Sequence, residues 1–158
     1  MWQRKQTIFL GITVLCLILM NFFPIWIASD SETEKILTSF SYTELSRSNN
    51  GEVVFAIFYP YMISAILAIA AATIAAIEIN KFTNRMLQLK LAALNSLFMA
   101  GSIGSAVYFA TTLIKSNQLA GTYGAGLYLP AVAMVSNMIA NRFIRKDEKL
   151  VRDSDRLR

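Results

Sequence analysis

The sequence predicts an all-α membrane protein, a four-helix bundle of transmembrane helices with both chain termini on the same side. Its 158 residues are 55% hydrophobic and 16% charged, and the apolar residues fall in long blocks, as in membrane proteins and not as in soluble cores. A chain of this length is expected to be one domain. The expected spans lie at about residues 8–27, 59–79, 87–114 and 127–144, followed by a helical tail at 145–158.

The positions of the basic residues predict the orientation. Twelve of the fifteen Lys and Arg residues lie before the first block, around the connection between the second and third blocks, or at and beyond the end of the fourth. Because Lys and Arg concentrate on the cytoplasmic side of membrane proteins, we expect both termini in the cytoplasm. Nucleic acid is not an expected partner, since the basic tail carries no aromatic stacking residue apart from Phe143.

The first block has the length of a transmembrane helix. Residues 8–27 give about 20 uncharged positions, which at about 1.5 Å per residue cross a bilayer core of about 30 Å. Trp2 and Trp26 bracket the block, as interfacial aromatic residues do. A cleaved signal peptide has a shorter apolar region that ends at small residues, so the block predicts an uncleaved first helix.

Residues 29–52 form the longest polar connection, which we expect outside the membrane on the periplasmic side. Ser31 and Glu34 have the spacing of a capping box, which predicts a short surface helix ahead of Phe40. Asn50-Gly51 between two apolar stretches indicates a small β-hairpin. A plain loop with an Asn-Gly turn is the alternative.

The remaining connections follow from turn residues and charges. Pro60 suits the first turn of the second helix, and Glu78 marks the return to the cytoplasmic side. Three glycines within residues 116–126 predict an irregular outer loop. A phosphate-binding loop is excluded because no Lys-Ser/Thr pair follows the glycines. Beyond residue 144 good helix formers continue without Gly or Pro, so the fourth helix is expected to extend into the cytoplasm.

Both ends of the chain carry a family resemblance. The opening MWQRKQT of residues 1–7 and the closing ANRFIRKDEKLV of residues 140–151 and DRLR of residues 155–158 resemble a family of small four-helix inner-membrane proteins from Bacteroidota that is described as a domain of unknown function. The resemblance implies a bacterial inner (cytoplasmic) membrane and four spans, and it brings no activity. It also makes the cytoplasmic extension a candidate contact surface.

The third span carries a row of small residues. Ala100 and Gly104, and Gly101 and Ser105, are two pairs at small-x-x-x-small spacing, which lets helix backbones approach closely. Packing within the chain's own bundle, against the alanine-rich second span, is the favoured interpretation. Docking onto the helix of a partner protein is the alternative.

Few polar residues lie within the spans. Asn95 and Asn137 are expected to form interhelical hydrogen bonds worth roughly 0.6 to 2 kcal/mol each, with a substrate ligand as the alternative. We expect no titratable group at mid-depth, which weakens the hypothesis of a proton-coupled transporter.

With no histidine and one cysteine, Cys16, we expect no disulfide, no metal, no cofactor and no enzyme activity. The outer acids Asp30, Glu32 and Glu34 suit a solvated loop better than a calcium site.

The tail after the fourth span mixes both charges. Arg142, Arg145 and Lys146 would lie near anionic lipid headgroups, each contributing about 1 kcal/mol, while the acids beyond dilute the positive charge. Glu148 precedes Arg152 at the favourable four-residue spacing. The tail is therefore expected to be a topology anchor, with a contact surface for a partner as the alternative.

These observations favour a non-catalytic structural or accessory subunit of a larger inner-membrane complex, with membrane lipids and other membrane subunits as partners. The alternative is a small transporter or channel component. Its polar path along helices 3 and 4 would consist of Asn95, Ser102, Ser105 and Asn137.

Overall fold

The fold is a four-helix bundle with a small β-sheet at one end. The computed structural model describes residues 5–30, 33–46, 52–81 and 84–156. Its helices are α1 (Lys5–Leu19), α2 (Ile63–Asn80), α3 (Arg85–Asn117) and α4 (Ala125–Arg156). Each helix packs against two others, α1 and α3 against both α2 and α4. We call the end where α1 begins and α4 ends the terminal end, and the opposite end the sheet end.

Among the described residues, three helices are long and apolar enough to cross a membrane: Ile63–Asn80, Met86–Asn117 and Ala125–Leu150. They lie close to three of the four expected spans and indicate a membrane protein with several spans. The expected helical extension of the fourth is confirmed as far as Arg156.

The first helix is shorter than expected. α1 has 15 residues, which at about 1.5 Å each reach about 22 Å, less than a bilayer core. It ends in a tight turn in which Phe22 N–H donates to the Leu19 carbonyl, and Pro24 follows. The prediction of a span over residues 8–27 is therefore wrong in its second half. Trp26 lies in a strand and its side chain is fully buried inside the protein, whereas an interfacial aromatic residue would lie on the protein surface.

The expectation of an all-α fold is also wrong, because five strands form an antiparallel sheet. They are β1 (Trp26–Ser29), β2 (Thr33–Leu37), β3 (Tyr42–Ser46), β4 (Glu52–Ile57) and β5 (Thr122–Tyr123), in the order β4-β3-β2-β1-β5. The surface helix expected ahead of Phe40 is instead β2. Its backbone groups bond to β1 on one side and β3 on the other, and that non-local pairing overrides the local capping pattern.

The expected hairpin is present. β3 pairs with β4 up to Ser46 opposite Glu52, and the Asn50-Gly51 turn lies outside the described residues. The loop between α3 and α4 is less irregular than expected, because β5 pairs with β1 there. A Cβ on Gly121 would overlap the Trp26 ring, so a glycine is what allows the loop to lie against that strand.

The sheet is attached to the bundle by the turn between β2 and β3. The Ser39 carbonyl accepts hydrogen bonds from Ala65 N–H at 3.2 Å and from the Ser64 hydroxyl at 2.9 Å, which satisfies donors at the start of α2. The Tyr61 ring packs against Tyr42 of the sheet and Phe109 of α3. One core therefore continues from the helices into the sheet.

Candidate functional site

Polar side chains occupy the interior of the bundle toward its terminal end. Glu78 of α2, Gln88 and Asn95 of α3, and Asn137 of α4 are all buried, each with at most 1% of its surface exposed. Gln88, Ala92 and Asn95 follow one another at spacings of four and three, which places them on one helix face. These four residues are the buried polar cluster.

Glu78 is the residue of this cluster that sequence reasoning misplaced. Its charge indicated a boundary at the water surface, yet the side chain is completely buried. Neither carboxylate oxygen has a hydrogen-bond partner among the described residues. The sequence contained a signal of this burial. Glu78 follows the buried residues at helical spacing and therefore lies on the same helix face, which is formed by Ala68, Ala71 and Ala75.

Gln88 links α3 to the end of α2. Its side-chain N–H donates to the backbone carbonyl of Glu78 at 2.9 Å. Its own side-chain oxygen has no donor in the described part of the chain. The Gln88 amide is therefore held beside Glu78 with one acceptor unused.

The two predicted asparagines behave differently. Asn137 donates to the Ser96 hydroxyl at 3.1 Å and to the Ala92 carbonyl at 3.4 Å, so it joins α4 to α3 by hydrogen bonds. Asn95 has no partner for either amide atom within the described ranges. Of the two asparagines, Asn137 thus links helices, and the Asn95 amide is unsatisfied among the described residues.

The predicted polar line does not form an open path through the described bundle. Asn95, Ser102 and Asn137 have no exposed surface. Ser102 donates to the Ser64 carbonyl at 3.1 Å, and Ser105 donates to the Ser102 carbonyl within its own helix. Both hydroxyls bond to backbone carbonyls, but only Ser102 is sealed between the helices, because Ser105 is half-buried.

The small residues of α3 lie at the bundle surface. Ala100, Gly101 and Gly104 are exposed and Ser105 is half-buried. A Cβ on Gly101 would stand 3.3 Å from Leu67 of α2, whereas one on Gly104 would meet no described atom within 4 Å. The helix surface that faces the interior is formed instead by Ala92, Met99, Ser102 and Ala106.

At the start of the tail a groove runs between α3 and α4. It has a volume of about 370 Å³. Its lining residues combine apolar side chains with polar and basic ones: Leu89, Ala93, Ser96, Met138, Asn141, Arg142 and Arg145. Lys146 is exposed and Glu148 half-buried, and Arg152 lies on the helix beyond.

The sheet end presents an apolar edge. β4 is the outermost strand, and its outer edge pairs with no described strand. Its consecutive residues Val53, Val54 and Phe55 are 61%, 62% and 48% exposed. Since successive side chains of a strand point to opposite faces, neither face of this edge is covered.

Within the described residues, no group of three His, Cys, Asp or Glu side chains could hold a metal ion. Glu32, one of the three outer acids, lies outside those residues.

The family described as a domain of unknown function (DUF4293) matches residues 2–157. The chain belongs to this family. No curated protein matches it.

The match extends over all four helices and all five strands, so the family description applies to the bundle and its sheet together. The expected resemblance to a domain of unknown function is therefore confirmed. The family description states no activity.

Proposed function

We propose that the protein is a non-catalytic accessory subunit of a larger protein complex in the bacterial inner membrane. The observation that supports this most directly is the exposed apolar edge strand β4. No residue from Val53 to Phe58 is charged, and Phe58 is 60% exposed.

An edge of this kind is normally protected. Natural proteins place charged residues, prolines or covering segments on edge strands, because an open edge pairs with other chains. β4 has none of these over its apolar residues, and exposed apolar patches mark interaction sites. A partner that adds a strand to β4 would satisfy its free backbone groups and place its own side chains beside the exposed apolar ones.

The basic residues support an orientation for this contact. Arg142, Arg145 and Lys146 lie at the terminal end, which the positive-inside rule assigns to the cytoplasm. The sheet then lies in the periplasm, and the partner that we propose is a membrane protein with a periplasmic strand. The exposed small residues Ala100 and Gly104 of α3 would allow a helix of the same partner to approach closely within the membrane.

The experiment is site-specific photo-crosslinking in the native membrane. A benzophenone amino acid replaces Phe55, and a matched control carries it at Leu15, an exposed apolar residue of α1. We expect a discrete adduct with another membrane protein from position 55 and not from position 15. Adducts with lipid alone, or with a second copy of this chain alone, would contradict the proposal.

Introducing a charged residue tests the same contact without a crosslinking group. Phe55→Lys should abolish co-purification of that partner in mild detergent, because a charged edge strand resists pairing. Leu15→Lys is unsuitable as its control, since it would place a charge in lipid. Thr43→Lys, on the neighbouring strand β3, should leave the partner bound.

A small transporter or channel component is a second candidate, favoured by the unsatisfied amide of Asn95 in the bundle interior. Such a function requires the helices to separate, because Asn95 has no exposed surface in this arrangement. Solute flux into proteoliposomes that disappears in Asn95→Leu would support it over the accessory role.

A further inference from the structure

We infer that the buried end of α2 is a binding site for one monovalent cation, with the Glu78 carboxylate and the Gln88 side-chain oxygen as its ligands. The inference is independent of the accessory role, because it concerns the interior of the bundle and not its surfaces.

The unsatisfied atoms at this end of the bundle are nearly all acceptors. In the described residues they include both Glu78 carboxylate oxygens and the side-chain oxygens of Gln88, Asn137 and Asn141. Among the described residues of the helices, the one buried side-chain donor without a partner is the Asn95 amide nitrogen. Because buried acceptors without donors are costly, a positively charged ligand is what this region lacks.

Among the described residues, Glu78 has no cationic partner. No described Lys or Arg side chain forms an ion pair with it, and Lys81, three residues on, is exposed. An unpaired carboxylate in an apolar interior is destabilising by several kcal/mol. A cation bound directly to the carboxylate removes that cost.

Gln88 is oriented to help bind such a cation. Its amide nitrogen donates to the Glu78 backbone carbonyl at 2.9 Å, and turning the amide over would place two oxygens against each other. The hydrogen bond therefore fixes the amide orientation and keeps its oxygen free beside Glu78. Together with the carboxylate this gives three oxygen ligand atoms on two helices.

Charge and ligand type determine the class of cation. One carboxylate balances one positive charge, whereas a divalent ion would leave a buried net charge of +1, which the alanine-lined interior does not offset. Oxygen ligands suit hard cations, and transition metals prefer nitrogen or sulfur. The chain has no histidine. An alkali cation, Na⁺ or K⁺, fits these conditions.

The first test measures thermal unfolding of the full-length protein in mild detergent at constant pH. NaCl or KCl replaces choline chloride at fixed ionic strength, because an ion that binds only the folded state raises its stability with concentration. We expect a saturable rise in Tm with at least one alkali cation. Glu78→Gln should abolish that rise, and Glu34→Gln, which changes an exposed glutamate of β2, should leave it unchanged.

A second variant keeps the inference testable if Glu78→Gln does not fold. Gln88→Met removes one ligand oxygen and should weaken the apparent affinity about tenfold, a free-energy change of about 1.4 kcal/mol. Direct binding of radioactive ²²Na⁺ or ⁸⁶Rb⁺ to the wild-type protein, displaced by unlabelled ion, should give one site per chain.

Three results would overturn the inference. The wild-type protein could show neither a cation-specific rise in Tm nor radioactive-ion binding. The rise could persist in a folded Glu78→Gln variant. Stability could depend on pH while alkali cations have no effect, which would mean that Glu78 holds a proton instead.

Discussion

Lys35 of β2 donates a hydrogen bond to the side-chain oxygen of Asn117, at the last turn of α3, across 2.6 Å. The same ammonium group lies 3.6 Å from the Glu44 carboxylate of β3. One side chain therefore joins two strands of the sheet to the end of the third helix.

Replacing Lys35 should loosen the sheet from the bundle. Lys35→Met leaves the Asn117 oxygen and the Glu44 carboxylate with fewer partners in a partly buried place, so we expect a loss of about 1 to 2 kcal/mol in the free energy of unfolding. Denaturant unfolding in detergent micelles measures this loss. Lys115→Met, an exposed lysine on the same turn of α3, should change the value by less than about 0.5 kcal/mol. Equal losses in the two variants would show that the hydrogen bond contributes nothing.

The sheet should lose stability at alkaline pH because of Tyr42. Burial raises the pKa of Tyr42 above its ordinary value of 10.0, and the Glu44 carboxylate, which accepts its hydroxyl hydrogen bond at 2.6 Å, raises it further. The Tyr42 hydroxyl therefore loses its proton at a lower pH in the unfolded chain than in the folded one. Its contribution to the free energy of unfolding is complete below pH 10 and falls as the pH rises above that value.

Absorbance of the phenolate and unfolding at several pH values test this expectation. Tyr42→Phe should flatten the loss of stability above pH 10. Burial also raises the pKa of Tyr61, so the flattening should be partial, and greater when Tyr61 is also replaced by Phe. A slope that is unchanged in both variants would contradict the assignment.

Replacing each of two glycines by alanine should change the stability of the protein in opposite directions. Gly121→Ala places a Cβ against the Trp26 ring and the Ile27 carbonyl, and we expect a loss of about 1 to 3 kcal/mol together with increased amide exchange in β1 and β5. Gly104→Ala meets open space in α3 and should stabilise the helix by about 0.5 to 1 kcal/mol. The pair of unfolding measurements would contradict the structure if Gly104→Ala were the more destabilising.

Replacing each of the two buried asparagines by leucine should also change the free energy of unfolding by different amounts. Asn137→Leu removes the hydrogen bond to Ser96 and should cost about 1 kcal/mol. Asn95→Leu removes an amide without partners in the described structure, so it should be neutral or stabilising in unfolding assays. If Asn95→Leu proves as costly as Asn137→Leu, Asn95 has a partner that the folded chain alone does not provide.

The sequence predicted the helices far better than the sheet, for a physical reason. Helices α2 to α4 show uninterrupted apolar blocks, which local composition reveals. β1 continues the apolar block of α1 without a charged residue between them, and periodicity alone cannot separate a short apolar strand from a helix. β2 and the two-residue strand β5 depend on partners far along the chain, so a local capping pattern and a glycine-rich stretch predicted other structures there.

The interior site was missed for a related reason. A glutamate near the end of an apolar block suggests that the membrane-embedded segment ends there. Whether the glutamate is solvated depends, however, on which face of the helix carries it. Glu78 lies on the alanine face of α2, and Gln88 meets it from α3. Asn137 could be predicted to form an interhelical hydrogen bond, because an amide in an apolar helix has few other hydrogen-bond partners available.

The strand order has a consequence for biosynthesis. β1 comes from the segment after the first helix, yet its outer neighbour β5 lies between the third and fourth helices. The outer edge of β1 therefore has no β5 partner until Thr122 and Tyr123 have been synthesised, after all of α3. Completion of the sheet is thus a late step in biosynthesis, and a chain stalled before that point keeps one edge of β1 unpaired.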